Sequence, residues 1–189
     1  MTSEKSFVRI VLFAAIIAAL GLLPKFSMPI AGGIPITAQS LGIMMAGVIL
    51  GPWRGALAVL LFLLVVALGA PLLAGGRGGL GVFATPSVGF LIGFPFAALA
   101  AGLVMQRLNN FNVFGAALTA SIIGGIVVMY MFGIVGLAAM TKLSLMGATT
   151  GSRIFIPGDV IKAVLTAIIA KTLAEARPDY IASLSRNGA

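Results

Sequence analysis

The segment Ile154–Ala174 reads IFIPGDVIKAVLTAIIAKTLA, and its reading decides the fold. It is as long as the roughly 20 mostly apolar residues that a helix needs to cross a bilayer. Its charges carry the information. Pro157 suits a first helical turn, where its missing N–H is not needed. Asp159 then falls in that turn, where the helix dipole favours an anion. Lys162 follows three positions on and shares its face. The chain has four carboxylates; Glu4, Glu175 and Asp179 lie in or near its tails, and Asp159 alone opens a long apolar segment. A carboxylate and an ammonium close to hydrocarbon are expensive, and by default they are functional. The plainer alternative is a dipole-compensating charge with an i,i+3 salt bridge; exposed pairs of that kind contribute only about 0–1 kcal/mol.

Composition places this segment among others like it. The 189 residues are 60% hydrophobic and 8% charged, with a mean hydropathy of +1.18. A soluble domain carries roughly 25% charged residues, so this chain lacks the polar surface to face water and reads as an integral membrane protein. It has no Cys and no His. That removes thiol nucleophiles, thiolate and imidazole metal sites and the usual general base. No metal or cofactor is expected. The net charge of +8 does not point to nucleic acid, because the basic residues are scattered without a stripe or interleaved aromatics.

Six candidate spans follow: Phe7–Leu23, Ile36–Leu50, Trp53–Leu73, Val82–Met105, Val113–Ala139 and Ile154–Ala174. They form one transmembrane domain with no internal repeat. Gly51-Pro52 divides the second from the third, since proline cannot continue a helix interior. A re-entrant hairpin over Ile36–Leu73 is the alternative there. Gly147–Ser152 reads as a polar turn before the last span. The basic flank of the first segment suits a signal peptide too, but no small-residue cleavage site stands clear of its alanine run. An even number of spans puts both termini on one side. Lys5, Arg9, Arg54, Arg107, Lys171, Arg177 and Arg186 then share that side, against Lys25, Arg77, Lys142 and Arg153 opposite. The positive-inside rule places the termini in the cytoplasm.

Other stretches invite chemical readings. Gly75-Gly76-Arg77-Gly78-Gly79-Leu80-Gly81 contains G-x-G-x-x-G literally. No strand precedes it and no acidic residue follows about 20 positions on, so the dinucleotide reading fails. Two readings remain, an anion cradle of backbone N–H groups with Arg77 adding charge, and a flexible loop with a solvated Arg. Pro29–Pro35 is a Pro/Gly connection suited to a lid. Gln39 at the mouth of the second span offers an amide to a ligand, or serves as a cap. Ala14 with Ala18, and Ala15 with Ala19, make two small-xxx-small pairs for close helix contact. Phe83, Phe90, Phe94 and Tyr130 are candidate cavity aromatics.

Four motifs occur in order at matching spacing: Ile34-Pro35-Ile36-Thr37 with Gln39, Leu50-Gly51-Pro52 with Arg54-Gly55, Gly75 to Gly81, and Pro157-Gly158-Asp159 with Lys162. Together they resemble the BioY family, biotin-specific substrate-binding (S) components of energy-coupling factor (ECF) transporters. The resemblance runs from the first span to the last. It implies a six-helix transmembrane bundle with both termini cytoplasmic, in a bacterial plasma membrane. It implies a vitamin site open to the outside under a lid. It maps Asp159 and Lys162 onto biotin contacts, with the Gly-rich segment of Arg77 and Gly79 nearby. It maps Ala14, Ala15, Ala18 and Ala19 onto a docking face for a transmembrane coupling subunit of the EcfT type. Two cytoplasmic ATPases complete such a transporter. Thr85-Pro86-Ser87-Val88-Gly89-Phe90 departs slightly from the family pattern. Biotin also fits the residues on its own chemistry. Its ureido N–H groups suit Asp159, and its valerate carboxylate suits Lys162, with Arg77 as a second cation. Apolar side chains such as Phe90 would enclose the bicycle.

The readings to separate are therefore a biotin-binding component, a binding component for another vitamin, a membrane enzyme using Asp159 as acid or base, and a stand-alone proton-coupled carrier. A homo-oligomer stays open. The chain carries no Walker motif, so ATP-driven energy has to come from partners.

Overall fold

The computed structural model describes residues 3–23, 26–27 and 35–182. The proposed lid, residues 29–35, lies outside them apart from the backbone of Pro35, as do Lys25 and Arg186.

The fold is a bundle of helices. In chain order they are α1 (Ser3–Gly21), α2 (Gln39–Leu50), α3 (Pro52–Ala67), α4 (Val88–Arg107), α5 (Val113–Ile122), α6 (Met129–Thr141), α7 (Leu145–Ser152) and α8 (Ile156–Ala176). A wide π-helical stretch, Ile123–Val128, joins α5 to α6 without a break. Two two-residue strands, β1 (Phe26–Ser27) and β2 (Pro35–Ile36), pair antiparallel between α1 and α2. Six long helical runs thus make the bundle among the described residues, with α5 and α6 counted as one. Two of them, Val88–Arg107 and Val113–Thr141, are long and apolar enough to cross a membrane, with mean hydropathies of 2.2 and 2.3. The α2 and α3 helices are apolar but shorter. The α1 and α8 helices carry more charge, in Glu4, Lys5 and Arg9 and in Asp159, Lys162, Lys171 and Glu175.

Helix ends follow local chemistry. Asn112 caps α5 by accepting from the Gly115 N–H at 2.7 Å, a hydrogen bond that satisfies one of the open donors of a first turn. Proline opens α3 and α8 at N1/N2. The α3 helix stops at Ala67, well before the Leu73 expected from hydropathy, because Gly69 takes φ +113° and Pro71 follows. The α4 helix starts at Val88, not Val82. Leu80–Ala84 forms a separate 3₁₀ turn, and Thr85-Pro86-Ser87 interrupts the helix. The expected polar turn at Gly147–Ser152 is instead part of α7. Ser144 caps that helix through Gly147 N–H, and the Thr149 hydroxyl folds back onto the Leu145 carbonyl.

The α4 helix is central and packs against α2, α3, α5 and α6, while α8 packs on α5 and α2, and α1 on α2 and α3. Small residues set these distances. Gly89 of α4 faces Gly136 of α6 so closely that a Cβ at Gly89 would lie 2.8 Å from the Gly136 Cα. Such contact adds dispersion between backbones, which is the main source of helix association where lipid is as apolar as the side chains.

The two ends of the bundle differ. At one end Arg9 of α1 lies 4.1 Å over the Tyr180 ring, the Ala182 N–H donates to Ile49 O, and Gly51 meets Ala182 and Gln106. Both described ends of the chain are therefore neighbours. At the other end Gly21 closes α1 beside Gln39 and Leu72, and there the cavity lies.

Candidate ligand-binding site

Asp159 is set by the first turn of α8. It is 5% exposed, and every bond it makes is to a donor. Tyr130 OH donates to Oδ2 at 2.7 Å, Ser40 Oγ donates to Oδ1 at 3.0 Å, and Lys162 Nζ donates to Oδ1 at 2.9 Å. Lys162 also donates to Ser40 Oγ at 2.9 Å. Three helices, α2, α6 and α8, thus meet in one polar cluster. A buried charge tolerates its surroundings only when paired and hydrogen-bonded, and this one is both.

Beside the cluster is a cavity. Its polar lining comes from Thr37, Gln39, Ser40, Arg77, Ser87, Tyr130, Asp159 and Lys162, and its apolar lining from Leu73, Phe90, Leu91, Phe94, Met129 and Phe155. Phe90 meets Tyr130 edge to face at 5.8 Å between centroids. Gly133 makes room for the Phe90 ring, since a Cβ there would overlap it.

Of the residues expected at a site, Asp159, Lys162, Arg77, Gln39 and Phe90 come together around this cavity. Gly79 does not line it. It sits at φ +78° and its N–H donates to Val66 O at 2.8 Å, so it shapes the turn. Three N–H groups of the Gly-rich segment, those of Gly76, Arg77 and Gly79, are committed to protein carbonyls. The N–H groups of Gly76 and Arg77 both turn to Leu73 O, and Leu73 N–H returns to Arg77 O. What the segment delivers is the Arg77 side chain, whose guanidinium burial holds below its usual pKa. Arginine still stays charged. Gln39 is committed to protein: its Nε2 donates to Leu72 O at 3.1 Å and its Oε1 accepts from Ala74 N–H at 3.3 Å. It fastens the loop to the head of α2.

The four alanines of α1 split. Ala14 is buried among Phe13 and Ile17, and Ala18 is half-buried against the same core. Ala15 and Ala19 are exposed. The Ala14/Ala18 face therefore packs inside this protein. The outward stripe runs through Val8, Leu12, Ala15, Ala19 and Leu22.

Ser40, Ser87, Tyr130 and Phe155 carry the site as much as the expected residues do. Tyr130 and Phe90 stood among the candidate aromatics. Ser40 had no local signal, since a lone serine in an apolar helix is common.

A cavity at one end of a helical bundle, with charged and hydrogen-bonding groups on one side and apolar side chains on the other, suits a small ligand that has both polar and apolar parts. The chain belongs to the BioY family, which matches residues 1–179. It is 52% identical over 176 residues to a biotin transporter BioY of Rhizobium etli, covering 90% of this chain and 94% of that one. It is 48% identical to the biotin transporter BioY of Rhodobacter capsulatus, covering 94% and 97%. A crystal structure at 2.1 Å of the S-component for biotin from an ECF-type ABC transporter superposes with a TM-score of 0.85 at 32% identity, covering 93% of this chain and 95% of that one.

Proposed function

We propose that this chain is the biotin-binding S component of an ECF transporter and takes up biotin across the bacterial plasma membrane. One observation carries the reading: a single cavity is lined by a mutually neutralised Asp159–Lys162 pair and by a separate guanidinium, Arg77, with no carboxylate partner among the described residues. Biotin has one end of each matching kind. Its ureido ring is neutral, with two N–H donors and a carbonyl acceptor, and its valerate is an anion. Asp159, whose Oδ2 keeps one free lone pair beside Tyr130, accepts from one ureido N–H, and Lys162 donates to the ureido oxygen on the same edge. The carboxylate goes to Arg77. This exchanges the role that spacing alone suggested for Lys162, because the Lys162 charge is already balanced 2.9 Å away. Phe90, Phe94 and Phe155 cover the apolar bicycle.

The six helical runs cross the bilayer with both termini cytoplasmic. The basic residues at the end shared by the termini support that direction, and the cavity then opens outward beneath the connection between α1 and α2. The exposed stripe of α1 docks on a transmembrane coupling subunit of the EcfT type, and two cytoplasmic ATPases supply the energy. The chain is a carrier component and performs no catalysis; the cavity's one carboxylate is held by Lys162, Ser40 and Tyr130.

Calorimetric titration of the purified protein with biotin, thiamine and riboflavin tests this. Biotin alone should bind. Tight binding of either aromatic vitamin with no biotin heat overturns it.

A further inference from the structure

Arg77 reaches the cavity with two protein holds. Its Nε donates to Ala74 O at 3.3 Å, and its Nη1 donates to Ser87 Oγ at 3.3 Å. Ser87 is 7% exposed, just ahead of α4. Its Oγ lies 2.9 Å from Thr85 Oγ1, and Thr85 Oγ1 donates to Val82 O at 2.7 Å.

Counting hydrogens gives the direction of this chain. A hydroxyl has one hydrogen to donate, and a carbonyl has none. Thr85 spends its hydrogen on Val82 O, so the Ser87 hydrogen goes to Thr85. The Ser87 lone pairs are then left facing Arg77, which can only donate. The bonds run one way, from Arg77 to Ser87 to Thr85 to Val82 O. Each link polarises the next. The two holds leave three of the five guanidinium N–H groups without a protein acceptor among the described residues.

We propose that Thr85 and Ser87 are positioning residues, a one-way hydroxyl relay that holds Arg77 in the cavity and sets a preference for the carboxylate form of the ligand over its neutral derivatives. The inference rests on the proposed biotin function. Thr85 does not line the cavity, so it acts through Ser87 and Arg77. The physical basis is pre-organisation. An arginine already held loses less rotamer freedom when an anion arrives, and that gain is specific to ligands that use its charge.

The test is calorimetric titration of the full chain with biotin and with biotin amide. Ser87→Ala and Thr85→Val should each lose about tenfold in biotin affinity, the scale of one hydrogen bond to a charged group, and change amide affinity by no more than about twofold. Thr85→Ser, which keeps the hydroxyl, should behave as wild type. In an Arg77→Gln background Ser87→Ala should add no further loss, because the relay then has nothing to hold. Equal losses for both ligands, unchanged biotin affinity, or a full second loss in the Arg77→Gln background each overturn the relay. Wild-type protein that binds neither ligand removes the functional reading and the inference with it. Wild type that binds biotin, with variants that discriminate nothing, removes the relay alone.

Discussion

Tyr130 donates its phenolic hydroxyl to Asp159 Oδ2 across 2.7 Å, joining α6 to α8 through a buried carboxylate. Ser40 and Lys162 share the other oxygen. The bond therefore closes one side of a cluster in which three helices hold one charge. Tyr130→Phe keeps the ring and its edge-to-face contact with Phe90 but leaves Oδ2 short of a donor. It should lower stability by about 1–3 kcal/mol, the usual cost of an unsatisfied buried acceptor. A thermal melt in detergent checks this; an unchanged midpoint would show that the bond contributes nothing.

Lys162 and Arg77 should part company when tested with two ligands. Arg77→Gln removes the proposed partner of the valerate, so biotin should weaken by at least tenfold while biotin amide holds nearly constant. Lys162→Met removes a donor to the ureido oxygen and unbalances Asp159, so both ligands should weaken together. A Lys162 variant that loses biotin alone would return the carboxylate to lysine.

Charge balance makes a separate prediction about stability. Lys162→Met alone leaves a buried carboxylate without its counter-ion, at a cost of roughly 3–5 kcal/mol. Asp159→Asn combined with Lys162→Met removes both charges and should recover much of that loss. Additive destabilisation in the double variant would mean that the two side chains are not coupled through their charges.

The α1 helix offers a test by geometry. Ala15→Trp and Ala19→Trp enlarge exposed positions. They should abolish co-purification with a coupling subunit and leave biotin titrations unchanged. Ala14→Trp, by contrast, forces a large ring into the buried contact with α2 and α3. It should lower the melting point before it affects docking, because overpacking typically costs about 1–3 kcal/mol. Loss of biotin binding in Ala15→Trp would place that face inside the bundle's own packing.

Gln39 predicts a loop effect. Its amide holds Leu72 O and Ala74 N–H, and the same loop carries Arg77. Gln39→Met should strand both backbone groups at about 1–3 kcal/mol and weaken biotin by misplacing Arg77. Protease cleavage within residues 68–79 measures the loosening; cleavage at the wild-type rate would sink the idea.

The amino-acid sequence by itself pointed to a helical bundle and to several of the side chains that line its cavity. Hydropathy and charge poverty point to apolar helices, Gly51-Pro52 separates α2 from α3, and Asp159 and Lys162 stand out because so few other charges compete with them. Where elements end was less legible. Apolar residues continue past Ala67 to Leu73 and recur at Val82–Ala84 ahead of α4, and backbone chemistry at Gly69, Pro71 and Pro86 stops the helices there. Only the tertiary structure decided which groups meet. Ser40 lies 119 residues from Asp159 and Tyr130 lies 29 away, and no local periodicity reports a hydrogen bond across such separations. The π-helical stretch before Met129 changes the phase of α6, which alters the face that Tyr130 presents. The same reason divides the alanines of α1. Ala14 and Ala15 are identical in composition and adjacent in sequence, and the packing of α2 and α3 against one side of the helix buries the first and exposes the second.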